Sequence, residues 1–296
     1  MSAVIRLFLA SILAALAYSA SAQQAYPTPG AAAAALITAL GTKEGDAKRL
    51  ATLLGDDWNT YIPVGSVDRQ DVDAFLALYR EKRTIQTDGS GRAHLVVGNT
   101  PWTFPLPIIQ GKDGWRFDAK AGSEEIRVRR IGRNEIGSMQ ALLAYHDAQM
   151  DYADIDRDGD GVLEYAQKII STDGQYDGLY WSEKPGIEES PLGPLFGDTE
   201  RGDDWQGYHY RILTAQGPSA PGGAYDYKIG ENMTRGFAMI AWPAKYGDSG
   251  VMSFMISHDG QVFEKDLGPD GEKLAKALPR FDPDSSWDET KVPGVP

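Results

Sequence analysis

The sequence contains no cysteine. Disulfides, thiolate metal sites, Cys nucleophiles and lipid attachment through an N-terminal Cys are therefore excluded. Such a chain relies on its hydrophobic cores, and 296 residues suffice for about two domains. Long hydrophobic runs are also missing. The apolar stretch Leu7 to Ala17 is 11 residues long and is broken by Ser11, whereas a spanning helix needs about 20. Positive charge is in deficit, with 29 Lys and Arg against 42 Asp and Glu, a net charge of −13. That balance repels phosphates, so nucleic acid and anionic lipid are poor partners. Small molecules, cations, glycans or other proteins fit better. The apolar share of 42% and charged share of 24% are those of a globular chain and exclude disorder.

Residues 1–22 read as a secretory signal peptide: Arg6, the short apolar run, then Ala20-Ser21-Ala22 before Gln23. The competing reading is an N-terminal anchor. Export implies a periplasmic or secreted protein of Gram-negative type, with no membrane span after cleavage.

Beyond a short Pro/Gly leader, Ala31 to Leu40 has helical propensity. Asp46 can cap a second helix that stops at Gly55, and Val72, Phe75, Leu76 and Tyr79 share one face of a third. His94 to Gly98 and Thr103 to Gln110 read as strands, the second irregular because of Pro105 and Pro107. A turn at Gly111 to Gly114 returns into Trp115 to Asp118 as a hairpin. Helices followed by a small antiparallel sheet make an α+β domain, placed at 23–122. That order, ending in Asp113-Gly-Trp-Arg-Phe-Asp118, resembles the cone-shaped nuclear-transport-factor-like fold.

The second domain is placed at 123–296. A basic run, Arg127 to Arg133, precedes Asn134, which can cap a long helix carrying Ile136, Met139, Leu143, His146 and Met150 on one stripe. Strands are expected at 207–215, 237–242, 251–257 and 261–265, forming an antiparallel sheet against that helix. The Pro- and Asp-rich tail from Phe281 reads as surface.

The sharpest chemical signal is the segment Asp154 to Glu164. Alternating carboxylates on a turning backbone can point at one centre, and calcium takes six to eight oxygens at about 2.3–2.6 Å. In the better register Asp156, Asp158 and Asp160 are ligands 1, 3 and 5, Gly161 makes the turn, Val162 offers its carbonyl and Glu164 stands at position 9. Position 12 is Gln167, so the usual bidentate carboxylate is missing and a weak, structural site is expected. A register starting at Asp154 fits worse. The alternative is an Asp/Gly turn with solvated carboxylates.

Catalytic constellations are scarce. The four histidines, His94, His146, His209 and His258, form no metal-binding pair, and no G-x-S-x-G or phosphate loop is present. His146 reads as a structural helix residue and His258 as a turn residue. The adjacent pairs Glu124-Glu125 and Glu188-Glu189 point to opposite faces of a strand and make no acid/base couple. Arg129, Arg130 and Arg133 can grip an anion or cross-link the structure. Trp181, Trp205, Tyr208, Tyr210, Tyr225, Tyr227, Trp242 and Tyr246 can stack on sugars, meet a protein partner, or simply pack.

Arg129-Arg-Ile-Gly-Arg-Asn-Glu135, Asp158-Gly-Asp-Gly-Val-Leu-Glu-Tyr165, Asp177-Gly-Leu-Tyr-Trp181, Ser190 to Pro194, Ala241-Trp-Pro243 and Phe281 to Asp284 together resemble domain-of-unknown-function family 2950, exported bacterial proteins. The resemblance covers nearly the whole mature chain and implies no catalytic residues. Residues 134–268 are more weakly similar to the globular part of type IV pilin-like and pseudopilin-like proteins, without their apolar filament helix. The sequence thus reads as a non-catalytic exported module that binds an envelope protein or glycan, with a structural calcium. The alternative is an envelope hydrolase with a carboxylate- or His-based site in an interdomain cleft. A third reading, an assembly accessory for surface filaments, rests on the pilin-like half.

Overall fold

A computed structural model describes residues 23–41, 43–62, 69–182, 188–193 and 204–293. The signal segment 1–22 lies outside them. Two compact units meet in sequence at Ile126 and Arg127.

The first unit opens with α1 (Pro29–Leu40), where Thr28 caps the Ala31 N–H and Pro29 occupies the first turn. Helix α2 (Ala47–Leu54) follows, with Asp46 Oδ1 accepting from the Lys48 and Arg49 N–H groups at 3.1 Å each. Gly55 ends it at φ 103°, a conformation that favours glycine. Short α3 (Trp58–Tyr61) and α4 (Arg69–Glu81) follow. Strands β1 (Arg83–Thr87), β2 (Arg92–Val97), β3 (Trp102–Thr103), β4 (Ile108–Gly111) and β5 (Gly114–Phe117) form an antiparallel sheet in the order β1-β2-β4-β5, with β3 on β2. The strand expected over 103–110 is thus two pieces, because Pro105 and Pro107 cannot donate to a ladder. Leu36, Leu53, Leu76, Leu95, Ile108 and Phe117 form the core between helices and sheet.

Helix α5 (Ala119–Tyr152) begins well before Asn134, which corrects the expected start. Asp118 supplies the N-terminal cap by accepting from the Ala121 N–H at 2.9 Å. The arginines of 127–133 are good helix formers, so charge alone did not break the helix. Asn134 lies inside it and donates to the Ser249 carbonyl at 2.8 Å.

The second unit holds β6 (Tyr208–Leu213), β7 (Ala215–Gln216), β8 (Tyr225–Asp226), β9 (Lys228–Ile229), β10 (Asn232–Met233), β11 (Ala238–Pro243), β12 (Met252–Ser257), β13 (Val262–Asp266), α6 (Gly271–Ala277) and β14 (Asp288–Thr290). The main sheet is antiparallel, β14-β13-β12-β11-β6, and β7-β8 and β9-β10 are separate small pairs. Central β11 is buried at every position, which explains its unbroken apolar sequence. Side chains alternate along β6: Tyr210 meets Ser138 of α5, whereas Arg211 donates to the Ala275 and Leu278 carbonyls at 2.7 and 2.6 Å. Helix α5 therefore covers one face and α6 with its following segment the other. The C-terminal segment is not surface. Phe281 is fully buried, its backbone bonds to Ala215 and Gly217, and β14 adds a strand to the sheet edge. Its apolar anchors, Phe281, Trp287 and Val292, are too sparse to show in composition. Among the described residues no helix is long and apolar enough to cross a membrane.

Candidate functional site

The Asp-rich loop starts where α5 ends. Asp156, Asp158 and Asp160 each bring a carboxylate oxygen within 4.8 Å of the other two. The backbone turns that aim them are held by the carboxylates themselves. Asp156 accepts from the Gly159 N–H at 2.8 Å and the Gly161 N–H at 2.9 Å. Asp158 and Asp160 accept from the N–H groups two residues on, at 3.2 and 2.8 Å. Gly159 and Gly161 have φ of 77° and 88°, so the two glycines are required by the path of the chain. The N–H groups of Gly161 and Gly159 favour the charged carboxylate and hold Asp156 below the ordinary carboxylate range.

Glu164 does not join the three aspartates. Its carboxylate accepts from the Met233 N–H at 3.1 Å, while the Tyr165 N–H donates to the Met233 carbonyl at 2.8 Å. Asn232, beside it on β10, donates to Asp160 at 2.6 Å. Gln167, at the twelfth position, donates to the Glu231 carbonyl at 2.6 Å. The β9–β10 hairpin thus grips the loop along its length. Val162 is exposed.

Gln149, fully buried on α5, closes the loop from the other side. Its amide donates to the Ala166 carbonyl and accepts from the Ala166 N–H, both at 2.8 Å, and donates to the Tyr145 hydroxyl at 3.0 Å. Tyr145 donates onward to the Ala238 carbonyl at 3.2 Å. Nothing in the sequence around Gln149 signals this clamp, because the Ala166 backbone that its amide holds lies 17 residues ahead.

Arg157, between the first two aspartates, turns away from them. Its guanidinium lies 4.9 Å from the Tyr152 ring and 5.1 Å from the Trp181 ring, and it pairs with Glu188 at 3.3 Å. Burial, augmented by the Glu164 charge, pushes the Tyr152 hydroxyl up to about 12.

A family model described as "Protein of unknown function (DUF2950)" matches residues 23–290. The chain belongs to this DUF2950 family. No curated protein and no solved structure matches it.

The DUF2950 match spans the loop, the four histidines and the arginines of 127–133. His146 is half-buried on α5, its ring 5.5 Å from Phe237, with Nε2 facing the His258 carbonyl at 3.3 Å. Its Nδ1 lies 3.1 Å from the carboxylate of neighbouring Asp147, which is 82% exposed. No nucleophile stands on the other nitrogen, so this pair lacks the geometry of a triad. His258 follows β12 in the expected turn, but its ring is held between Tyr225, Tyr227 and Phe237, with Nε2 3.3 Å from the Tyr225 hydroxyl. Arg127 donates to the Gly247 carbonyl and Arg130 pairs with Asp248, so both fasten α5 to the turn between β11 and β12. Of the aromatic set, Tyr208, Tyr227, Trp242 and Trp181 are buried packing residues, and Tyr246 is exposed.

After the loop, Asp177 pins the turn over 172–177. It accepts from the Thr172 N–H at 2.7 Å and the Thr172 hydroxyl at 2.9 Å, and pairs with Lys168. Burial works to raise its carboxyl, but the bonds from Lys168 and Thr172 outweigh it and hold the group below its ordinary range. A depressed carboxyl stabilises the fold above the unfolded value of about 3.9, and that contribution is lost as pH falls through the folded one. Asp177→Asn is expected to cost about 1 kcal/mol at neutral pH, discounted for its exposure, and less at about pH 3, below the unfolded carboxyl's value, where part of the ionic contribution is already lost. Urea melts at both pH values test this; a gap undiminished in acid would rule out the ionic contribution.

Proposed function

We propose that the protein is an exported envelope component that binds a ligand or partner without transforming it, with calcium in the Asp loop as a structural element. The supporting observation is the convergence of Asp156, Asp158 and Asp160 at the end of α5, in a loop gripped by the β9–β10 hairpin. A divalent cation there relieves repulsion among three carboxylates and fixes the helix end. The Val162 carbonyl is the fourth protein ligand. Glu164 serves through the hairpin, by way of the Met233 N–H. The sequence of residues 1–22 supports export, to the periplasm or beyond.

With a dissociation constant of about 10⁻⁴–10⁻³ M, 10 mM calcium adds about 1.4–2.7 kcal/mol to the stability of the second unit. Its melting temperature should rise by about 3–10 °C. Asp158→Ala should abolish the rise. An unchanged melting curve in calcium, or a rise that survives Asp158→Ala, would retire the metal.

One observation favours the hydrolase alternative. Glu264 of β13 is raised by burial, with the charges of Glu135 and Asp288 adding to the effect, as suits a general acid. Glu135, however, is occupied by the Val251 and Met252 N–H groups at 3.0 Å each. Release of sugars or peptides from envelope polymers by the purified chain, abolished in Glu264→Gln, would establish that alternative.

A further inference from the structure

The segment following the Asp loop folds back on itself around a cavity of about 430 Å³. That volume falls within the range of about 300–1,000 Å³ usual for small-molecule sites. The walls include Asp173, Gln175, Tyr176, Tyr180, Trp181 and Ser182. We infer that this cavity is a binding site for a neutral saccharide. The inference rests on the reading of the protein as a binding module and names the ligand class.

The rim is rigid. The Ser171 N–H donates to the Tyr180 carbonyl at 2.9 Å, and the Tyr180 N–H to the Ile169 carbonyl at 2.8 Å. Gly178 lets these two runs approach, since a Cβ there would lie 2.7 Å from the Ser171 nitrogen. Asp177 and Lys168 fix the turn, as described above. Trp181 is locked from behind by the Arg157 guanidinium, by the edge of Tyr176 with ring centroids 5.1 Å apart, and by its own Nε1–H, which donates to the Glu188 carbonyl at 2.9 Å. A preformed site loses little entropy on binding.

The chemistry of the lining selects the ligand. Tyr176 is 37% exposed and offers a ring for the C–H face of a sugar. Among the described residues, no partner takes the side-chain polar atoms of Asp173, Gln175, Tyr176, Tyr180 or Ser182. Donors and acceptors thus surround one apolar platform, the complement of a polyol ring. A wholly apolar ligand would strip water from these groups and return no hydrogen bond. An anionic ligand would meet Asp173, the only formal charge among the described lining residues, on a chain of net charge −13. A quaternary ammonium needs several open ring faces, and Trp181, 7% exposed, has none to spare.

The test is calorimetric titration of the purified chain with tetrasaccharides of glucose and of N-acetylglucosamine, and with a uronate tetrasaccharide as control. A neutral tetrasaccharide should bind. Tyr176→Ala should weaken it roughly five- to tenfold, from the lost ring platform. Asp173→Asn should weaken it as well, with a melting temperature that matches wild type, whereas Tyr176→Ala also loses its ring contact with Trp181 and should melt slightly lower. No heat with either neutral sugar would overturn the inference. So would affinity unchanged in both variants, or tighter binding of the uronate. Recovered sugar is checked by mass: cleavage would keep the site and overturn the non-catalytic reading. Absence of sugar binding alongside a calcium-dependent melting shift would overturn only this inference.

Discussion

Replacing Gln149 by alanine is expected to cost about 4 kcal/mol. The side chain is fully buried and its amide satisfies three groups: the Ala166 N–H and carbonyl and the Tyr145 hydroxyl. Truncation leaves the Ala166 N–H and carbonyl unpaired in a dry interior, costs the Tyr145 hydroxyl one of its two bonds, and opens a cavity beside Tyr145 and Ala166, both core residues. Backbone bonds from Ala166 then no longer tie the segment after the Asp loop to α5, so the loop loses one of its two anchors. Gln149→Met separates the two contributions. Methionine restores most of the volume but none of the hydrogen bonds, and should still cost about 2–3 kcal/mol. Denaturant melts of the two variants decide between them. A methionine variant as stable as wild type would show that the clamp acts through volume alone.

Gly250→Ala should be nearly as damaging, at about 3 kcal/mol. A Cβ at this position would overlap the Tyr208 hydroxyl and come within 2.6 Å of the ring carbon bearing it. Tyr208 cannot retreat. It is fully buried on β6, packs against the tilted Phe254 ring with centroids 5.9 Å apart, and donates to the Met252 carbonyl at 2.8 Å. The turn carrying Gly250 cannot retreat either, because Arg130 and Asn134 of α5 bind Asp248 and Ser249 beside it. For a unit of this size the melting temperature should fall by about 6–12 °C. Gly250→Ala made in a Tyr208→Leu background, and compared with Tyr208→Leu alone, meets neither the hydroxyl nor the ring carbons that crowd the new methyl. A smaller loss in that background would confirm the clash; an equal one would place the damage in the turn's backbone.

Periodicity made much of this fold readable. The capped helix at Asp46, the Gly111–Gly114 hairpin and the strands from Ala238 to Asp266 follow from local rules of capping, turn chemistry and apolar alternation. The start of α5 escaped those rules because a basic run resembles a linker while its arginines propagate a helix. The C-terminal strand escaped because three buried side chains hold a segment otherwise made of Pro and Asp. At the candidate site, Asp156, Asp158 and Asp160 were legible because their spacing dictates a common direction. Position within the loop points Glu164 at the cation, but Met233, a distant residue, supplies the N–H that draws it to the hairpin. Gln149, Asn232 and Tyr176 carried no sequence signal. Each acquires its role from a partner or a cavity that exists only after the chain has folded.

Calcium in the Asp loop is the proposal on which the reading as a supported binding module turns. Equilibrium calcium binding to the metal-free chain addresses it most directly, followed by calorimetry at neutral pH. One ion per chain should bind with a dissociation constant of about 10⁻⁴–10⁻³ M, with binding lost in Asp158→Ala and weakened in Asn232→Ala. No saturable binding up to 10 mM, or a site that persists without the Asp158 carboxylate, would contradict it.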